Sequence, residues 1–262
     1  MPVPSDVPHL KLALLQAASP MGDTAAGLAT LVHAVHAAGA AGAAMLVAPE
    51  AYLQGYNHPN IAHLAVTREG AWADALAAAC RAARCGLCAG YAEEHGDAVY
   101  NAAVVFDASG QRVADYRKIQ LYGPREKMIY TPGDAYVTFD LGGTRTAVLI
   151  CYDVEFAPHV AALAARGVTL ILVPTANMDP FHHVIRATVP AMAANHGVGI
   201  VYANYCGDEG NLTYLGGSLI AAADGSVVAQ AGRGPALIIA DLPTGLARDT
   251  LTTQADDFRP VR

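Results

Sequence analysis

Three polar residues of different chemical type stand at the ends of apolar segments. Glu50 ends the segment "AMLVAPE", Lys118 ends "VADYRK", and Cys151 ends "TAVLIC". Each segment has the composition of a buried strand. In α/β sheets the carboxyl ends of the strands form the crevice where ligands bind. We therefore expect an acid, a base and a thiol to meet at one site.

This set is complete for nucleophilic acyl transfer. A thiol with an ordinary pKa near 8.5 is mostly protonated at neutral pH, so Cys151 needs a base to attack a carbonyl. Glu50 can accept that proton, and the Lys118 ammonium can stabilise the oxyanion, with the backbone N–H of Tyr152 as a second donor. We also expect the neighbouring base and ammonium to favour the Cys151 thiolate, making it the most reactive thiol of the chain.

Each residue taken alone also has a plain structural explanation. Free cysteine is among the most buried residue types, and a single Glu or Lys at a strand end is usually solvated. Cys85 and Cys88 form a C-x-x-C, but no second pair stands at zinc-site spacing, so packed and reduced thiols are expected. His182 and His183 are adjacent and would point apart on a helix, which disfavours a metal hydrolase, and no H-E-x-x-H is present. A papain-like context around the cysteine is also missing.

Composition narrows the class of protein. The 262 residues are 53% hydrophobic and 15% charged, which is typical of a globular protein with a large core. A net charge of -7 with scattered cations argues against nucleic acid or an anionic membrane as a partner. No apolar run approaches the ~18 residues of a membrane helix. The first residues lack the features of a signal peptide, so a cytoplasmic location is expected.

The elements that must position these residues alternate between strand and helix. Apolar segments at 11–17, 44–50, 168–175 and 199–205 predict strands separated by helices, which indicates parallel pairing. Hairpins are predicted around Ala108-Ser109-Gly110 and Gly142-Gly143. The pattern predicts one α/β domain, with either a mixed sheet or two sheets packed face to face with helices outside. Residues 1–9 are expected to be an N-terminal lead and residues 244–262 a polar C-terminal tail.

Several ordered segments resemble the nitrilase superfamily of carbon–nitrogen hydrolases, from about residue 10 to the end of the chain. The segment around each of the three polar residues is similar to one of that family's segments, and further blocks follow in the family's order. The matching segments are "LVAPEAYLQGY" (46–56), "YRKIQLYGPREKMIYTPGD" (116–134), "LICYDVEF" (149–156), "VPTANMDP" (173–180), "VYANY" (201–205), "YLGGSLIAAADG" (214–225) and the terminal "FRP".

The resemblance implies a role for each matching position. Glu50 is then the general base, Lys118 the oxyanion stabiliser and Cys151 the nucleophile. Glu126 matches a second carboxylate that lies near the lysine and helps to place the substrate. The resemblance also implies a four-layer α-β-β-α sandwich that forms a homodimer or a higher homo-oligomer, and no cofactor is expected.

The pair Tyr152-Asp153 resembles the amidase-type branches. That favours a primary carboxamide as substrate, release of ammonia and a thioester on Cys151. No clamp for a substrate carboxylate is evident, so a small aliphatic or heterocyclic carboxamide is expected. A nitrilase, an N-carbamoyl hydrolase and a catalytically silent binding or scaffold member are the alternatives. The residues expected to line the pocket are Tyr56, Tyr122, Tyr152 and Asn177, with Trp72 and Tyr52 as further aromatic candidates and a turn-forming role as the alternative for Asn177.

Three departures from the family's pattern stand in the chain. Ala157-Pro158 stands after Phe156 where the family usually has Pro-Glu, and Met192 and Asn195 stand where an Arg and a Glu are common. These departures are expected to affect assembly more than chemistry.

Overall fold

The computed structural model describes residues 8–246 and 248–259. Within these ranges the strands are β1 His9–Gln16, β2 Met45–Val47, β3 Val66–Thr67, β4 Gly86–His95, β5 Ala98–Phe106, β6 Arg112–Arg117, β7 Thr138–Leu141, β8 Thr144–Val148, β9 Leu170–Pro174, β10 Gly199–Ala203, β11 Cys206–Glu209, β12 Leu212–Leu215, β13 Leu219–Ala221, β14 Val227–Gln230 and β15 Ala236–Pro243. The α-helices are α1 Thr24–Ala40, α2 Ala71–Ala83, α3 Gly123–Ile129, α4 Ala157–Ala164, α5 Val189–His196 and α6 Gln254–Asp257. Short 3₁₀ turns cover Ile61–Leu64, Cys151–Glu155 and Arg248–Thr250.

Two large mixed sheets carry the fold. The first has the strand order β15-β1-β2-β4-β5-β6, with β3 beside the end of β4, and the second has the order β14-β13-β10-β9-β8-β7. Each sheet has three parallel strands at its centre, β1-β2-β4 in the first and β8-β9-β10 in the second. The short β3 also pairs parallel with β4, and the other strands of the two sheets pair antiparallel, as the predicted hairpins require.

The sheets pack face to face through one apolar layer and are covered by helices on their outer sides. Leu12, Leu14 and Val47 of the first sheet share this layer with Leu172 and Tyr202 of the second. Alternate residues of the first sheet turn outward to the apolar side of α1 and α2, while α4 and α5 pack with the second sheet. The predicted four-layer α-β-β-α sandwich is confirmed.

The ends of two strands differ from the prediction in a way that matters for the site. β2 ends at Val47 and β8 at Val148, so Glu50 and Cys151 each lie three residues beyond a strand. Pro49 has no N–H to donate to a sheet, which agrees with the early end of β2. Both residues therefore stand on turns above the sheets, and the backbone of these turns decides where their side chains go.

Some elements escaped the sequence pattern. The hairpin β11–β12 and helix α3 were not predicted. The helix expected between the strand segments 168–175 and 199–205 is split into a π-helical turn, Val184–Thr188, and α5. Residues 1–7 of the predicted lead and residues 247 and 260–262 of the predicted tail lie outside the described residues, whereas α6 within that tail contacts α5.

The three departures from the family pattern lie in and near α4 and α5. Ala157 and Pro158 begin α4, where proline is well placed because the first N–H groups of a helix have no intrahelical partner. Met192 packs against the layer between the sheets, and Asn195 is half-buried on α5. No helix in the described ranges is both long and apolar enough to span a membrane.

Candidate active site

Lys118 lies between two carboxylates in the interior of the protein. Its Nζ donates hydrogen bonds to Glu50 Oε1 at 2.6 Å and to Glu126 Oε1 at 2.8 Å. All three side chains are buried. The structure therefore brings Glu50 together with Lys118 and Glu126, which lie far from it in the sequence, in one ion cluster that carries a net charge of about -1 when all three groups are ionised.

Glu50 is held by neighbours on the first sheet and by Tyr205, which follows β10 of the second sheet. Asn101 on β5 donates from Nδ2 to Glu50 Oε1 at 2.7 Å. The hydroxyl of Tyr205 donates to the Glu50 carbonyl oxygen at 2.7 Å. The backbone of Glu50 also runs so close to Gly90 on β4 that a Cβ there would lie 2.7 Å from the Glu50 carbonyl carbon. Sequence reasoning missed Asn101 and Gly90, since neither stands near Glu50 in the chain.

Glu126 is fixed from two further directions. Tyr56 donates its hydroxyl proton to Glu126 Oε1 at 2.7 Å, and the backbone N–H of Tyr122 donates to Oε2 at 2.8 Å. Helix α3 carries Glu126 and was not predicted, but its short length lets the carboxylate reach back to Lys118. Glu126 therefore acts as a fixed anchor for the ammonium.

Cys151 stands at a strained turn. Its φ of 46° lies in the left-handed region, which a residue with a Cβ adopts at a cost of about 1–3 kcal/mol. Strain of this kind is concentrated at functional sites, where the surrounding structure must enforce it. Cys151 begins the 3₁₀ turn that ends at Glu155, and it is half-buried rather than fully enclosed.

Asp153 holds that turn in place. Its buried carboxylate accepts from Gln120 N–H at 2.6 Å, from Ile150 N–H at 3.0 Å and from the Tyr116 hydroxyl at 2.7 Å. These bonds tie the segment after Lys118 to the segment before Cys151. Asp153 is absent from the residues that line the cavity described below, so it does not face the substrate.

The protonation states differ from the sequence-based expectation at Cys151. Burial, followed by the nearby Glu50 carboxylate, raises the pKa of the Cys151 thiol well above its ordinary value, and Lys118 only partly opposes this. The direction of this shift opposes the expectation that the neighbouring groups favour the Cys151 thiolate. The ammonium of Lys118 is already committed to two carboxylates, which leaves a net negative neighbourhood around the sulfur.

Glu50 and Lys118 are shifted in complementary ways. Burial raises the pKa of Glu50 to about 7, against the opposing effect of Lys118. Burial lowers the pKa of Lys118, but the carboxylates of Glu126 and Glu50 outweigh it and hold the pKa well above its usual value. Lys118 is thus a permanent ammonium, while Glu50 titrates near neutral pH, which is where a general base is most useful.

One oxygen of Glu50 is left without a partner. Oε1 accepts from both Lys118 and Asn101, whereas Oε2 is buried and accepts no hydrogen bond within the described residues. An unpaired buried carboxylate oxygen is costly and calls for an explanation. It can accept the proton of a thiol or of a water molecule, and the carboxylic acid so formed can donate that proton to a leaving nitrogen.

A cavity of about 230 Å³ opens onto Cys151. The four predicted pocket residues all line it, together with several that sequence reasoning missed. The lining consists of Tyr56, Tyr122, Cys151, Tyr152, Glu155, Ala176, Asn177, Met178, Phe181 and His183. Rings of Tyr122 and Tyr152 meet edge-on with centroids 5.4 Å apart, and Tyr122 meets Phe181 in the same way at 5.8 Å.

Two aromatic candidates lie elsewhere. Tyr52 stacks on Tyr205, and Trp72 packs on Tyr91 beside α2, so neither lines this cavity. Asn177 serves both of the roles that were left open. It lines the cavity, and its backbone N–H donates to Asn204 Oδ1 at 2.8 Å, which fixes the turn after β9.

The other cysteines and histidines do not form a second centre in the part of the chain that the structure describes. Cys85 and Cys88 are buried free thiols, as expected, and burial raises the pKa of Cys85 to about 11. No group of three or more His, Cys, Asp or Glu side chains suited to a metal ion is found among the described residues.

Comparison with known proteins identifies the family of the chain. The carbon–nitrogen hydrolase family model matches residues 11–251. The chain belongs to the carbon–nitrogen hydrolase family. The predicted resemblance to the nitrilase superfamily is thereby confirmed over residues 11–251.

Relatives of this carbon–nitrogen hydrolase include named amidases. The chain is 40% identical over 222 residues to a protein named "hydrolase in pqqF 5'region" from Pseudomonas protegens, covering 82% of this chain and 78% of that protein. It is 34% identical over 227 residues to an (R)-stereoselective amidase from a Pseudomonas species, covering 86% and 81%.

A solved structure matches nearly the whole chain. The amidase from Nesterenkonia sp. superposes with a TM-score of 0.85 at 31% identity, covering 97% of this chain and 96% of that one. A variant of that amidase with its cysteine replaced by alanine was solved with butyramide, and another carries acrylamide added to the active-site cysteine.

Proposed function

We propose that this carbon–nitrogen hydrolase is an amidase that cleaves small primary carboxamides through a thioester on Cys151. The observation that carries the proposal is the unpaired Oε2 of Glu50, held beside a fixed Lys118 ammonium and close enough to Cys151 to raise the pKa of its thiol. A base without a proton, a permanent cation and a protonated nucleophile are the parts that amide cleavage needs.

In the first half of the reaction, the Cys151 thiol proton moves to Glu50 Oε2 as the sulfur attacks the amide carbon. The carbonyl oxygen becomes an oxyanion, which the Lys118 ammonium and the Tyr152 N–H stabilise. The tetrahedral intermediate collapses, the C–N bond breaks, and the leaving nitrogen takes the proton from Glu50. Ammonia departs, and the acyl group stays on Cys151 as a thioester.

In the second half, water replaces ammonia. Glu50 Oε2 takes a proton from the water as its oxygen attacks the thioester carbon. Collapse of this second intermediate breaks the C–S bond, the proton returns to sulfur, and the carboxylic acid leaves. Glu126 keeps Lys118 in place through both halves, because its own oxygens are fixed by Tyr56 and Tyr122.

The cavity supports a small substrate. Its volume of about 230 Å³ lies below the usual range for drug-sized ligands, and half of its lining residues are tyrosine, phenylalanine or methionine. The related Nesterenkonia amidase was solved with butyramide, a four-carbon primary amide. Short aliphatic carboxamides are therefore the first compounds to test.

The test is ammonia release from a panel of matched amides, nitriles and N-carbamoyl compounds, with Cys151→Ala and Glu50→Gln as variants. We expect turnover of amides above nitriles and carbamoyl compounds, and loss of at least ~1,000-fold in both variants. A thioester trapped on Cys151 and seen by mass spectrometry would complete the case. Equal inertness of the wild type and Cys151→Ala on all three classes would favour the silent scaffold alternative, and preferred turnover of nitriles would favour a nitrilase.

Assembly and location belong to the same proposal. Exposed Val227 and Val228 on β14 and Leu237 on β15 support an interface that extends the sheets to a second copy. Light scattering after size-exclusion chromatography would reveal a dimer or a larger oligomer, and a monomer at micromolar concentration would contradict it. The free state of all five cysteines is consistent with a reducing, cytoplasmic compartment, which cell fractionation would test.

A further inference from the structure

Glu155 is a carboxylate in the wall of the substrate cavity that the proposed mechanism does not use. It ends the 3₁₀ turn that Cys151 begins, so the two side chains are carried by one rigid element. The side chain is half-buried and lines the cavity. Throughout the described part of the chain, no hydrogen bond or ion pair involves its carboxylate, in contrast to Glu50, Glu126 and Asp153.

No cation of the protein neutralises this group inside the cavity. The lining contains neither lysine nor arginine, and the nearby Lys118 already makes ion pairs with Glu50 and Glu126. His183 lies on the same wall and interacts favourably with Glu155, but it makes no ion pair with it. With three carboxylates and one ammonium around the reacting sulfur, the site attracts positive charge and repels negative charge.

Burial raises the pKa of Glu155, because its charge is partly removed from water without a partner. A charge in this state gains most from a ligand that supplies the missing cation. The side chains around it are suited to such a ligand. Tyr122 and Phe181 offer aromatic faces to a cation, and Met178 can contact methylene groups.

We propose that Glu155 is a specificity-determining residue that selects primary carboxamides carrying an ammonium group on their acyl chain. The amide then reaches Cys151 while the ammonium pairs with Glu155 in the wall of the same cavity. This inference rests on the proposed amidase function and specifies its substrate class. It also gives a reason for the missing carboxylate clamp, since an anionic acyl chain would meet Glu155.

The experiment compares amides of equal length that differ in charge. The pairs are 4-aminobutanamide with pentanamide and 3-aminopropanamide with butanamide, and succinamate is the anionic compound. Assays near pH 8 keep carboxylates ionised and most primary ammonium groups charged. The readout is the ratio of kcat/KM for the cationic compound to kcat/KM for its neutral partner, which does not depend on how much active enzyme a preparation contains.

We expect the wild type to prefer the cationic member by roughly tenfold or more, which corresponds to about 1.4 kcal/mol, and to turn over succinamate most slowly. Glu155→Gln should bring the ratio close to one. Glu94→Gln removes the same charge at an exposed position on β4 and should leave the ratio as in the wild type.

The outcomes separate this inference from the proposed function. Absence of Cys151-dependent turnover on every amide would overturn the amidase proposal itself. Turnover of butanamide with no preference for the cationic compounds would leave the amidase intact and overturn the role of Glu155. A preference for the cationic compounds that persists in Glu155→Gln would also overturn the role of Glu155. If Glu155→Gln fails to fold, the wild type alone tests the role of Glu155, through the order of its kcat/KM values for the cationic, neutral and anionic amides.

Discussion

Replacing Asp153 by asparagine tests how the nucleophile is held. The wild-type carboxylate accepts three hydrogen bonds, from Gln120 N–H, Ile150 N–H and the Tyr116 hydroxyl. Asparagine keeps the shape of the side chain and one acceptor oxygen. Its amide nitrogen only donates hydrogen bonds, so it forms none with the donor that it faces. At least one buried backbone N–H then has no acceptor. The side-chain amide group that faces it has no acceptor either.

The cost follows from these contacts. An unsatisfied buried donor costs about 1–3 kcal/mol, and Asp153→Asn creates two such groups. Loss of the buried charge offsets part of this, because burial raises the pKa of Asp153 and thus disfavours its ionised form. We expect the free energy of unfolding to fall by about 2–4 kcal/mol, equivalent to a Tm lower by roughly 5–15 °C for a chain of this size.

Activity should fall as well, and in a recognisable way. The strained φ of Cys151 and the position of the segment after Lys118 both depend on Asp153, whereas the cavity wall does not. We therefore expect kcat to drop by ~10–100-fold with KM changed less than threefold, and the preference for amides over nitriles to stay as in the wild type.

The assay combines urea unfolding followed by circular dichroism with steady-state ammonia release. Asp208→Asn, at an exposed position on β11, is the control for loss of a carboxylate and should change neither quantity. A variant with wild-type stability and a switch from amides to nitriles would refute the reasoning. That result would mean that Asp153 acts on the substrate directly.

Two further predictions address the base and the backbone beneath it. Because Glu50 must be ionised to accept a proton and its pKa is raised to about 7, kcat/KM should rise with pH to a plateau with a midpoint near 7; a midpoint near 4.5 would contradict the assigned base. Gly90→Ala would place a Cβ 2.3 Å from the Ala51 nitrogen and 2.6 Å from the Pro49 oxygen, so we expect Glu50 to shift and kcat to fall by ~100-fold. Gly232→Ala, with no atom within 4 Å of the added Cβ, should keep wild-type kcat; equal activity in both variants would show that the backbone around Glu50 can relax.

The sequence could predict the alternating strands and the residues that end them, because apolar periodicity and strand-end chemistry are local signals. Glu50, Lys118 and Cys151 were found in this way and do stand together around one site. Glu155 and His183 were not predicted as pocket residues. Glu155 ends a 3₁₀ turn and His183 directly precedes the π-helical turn, and no apolar periodicity in the sequence indicates that these side chains line the cavity.

The protonation of Cys151 could not be predicted for a different reason. A list of neighbouring residue types suggests that an ammonium lowers the pKa of a thiol, but the net effect depends on burial and on which charges already neutralise each other. Lys118 is shared by Glu50 and Glu126, so little of its charge is free to stabilise a thiolate. Only the distances within the cluster reveal this.

The geometry of the site depends on two separate supports. Asn101 and the ion pairs set the position of Glu50 relative to Lys118, and Asn101 lies on β5 of the first sheet. Asp153 sets the position of Cys151 relative to Lys118, because it joins the turn after β8 to the segment after β6. Neither support involves Ala157-Pro158, which merely begins α4. The departure from the family's Phe-Pro-Glu ending therefore falls outside the contacts that hold the three reacting groups, which explains how the sequence there can differ while the catalytic arrangement persists.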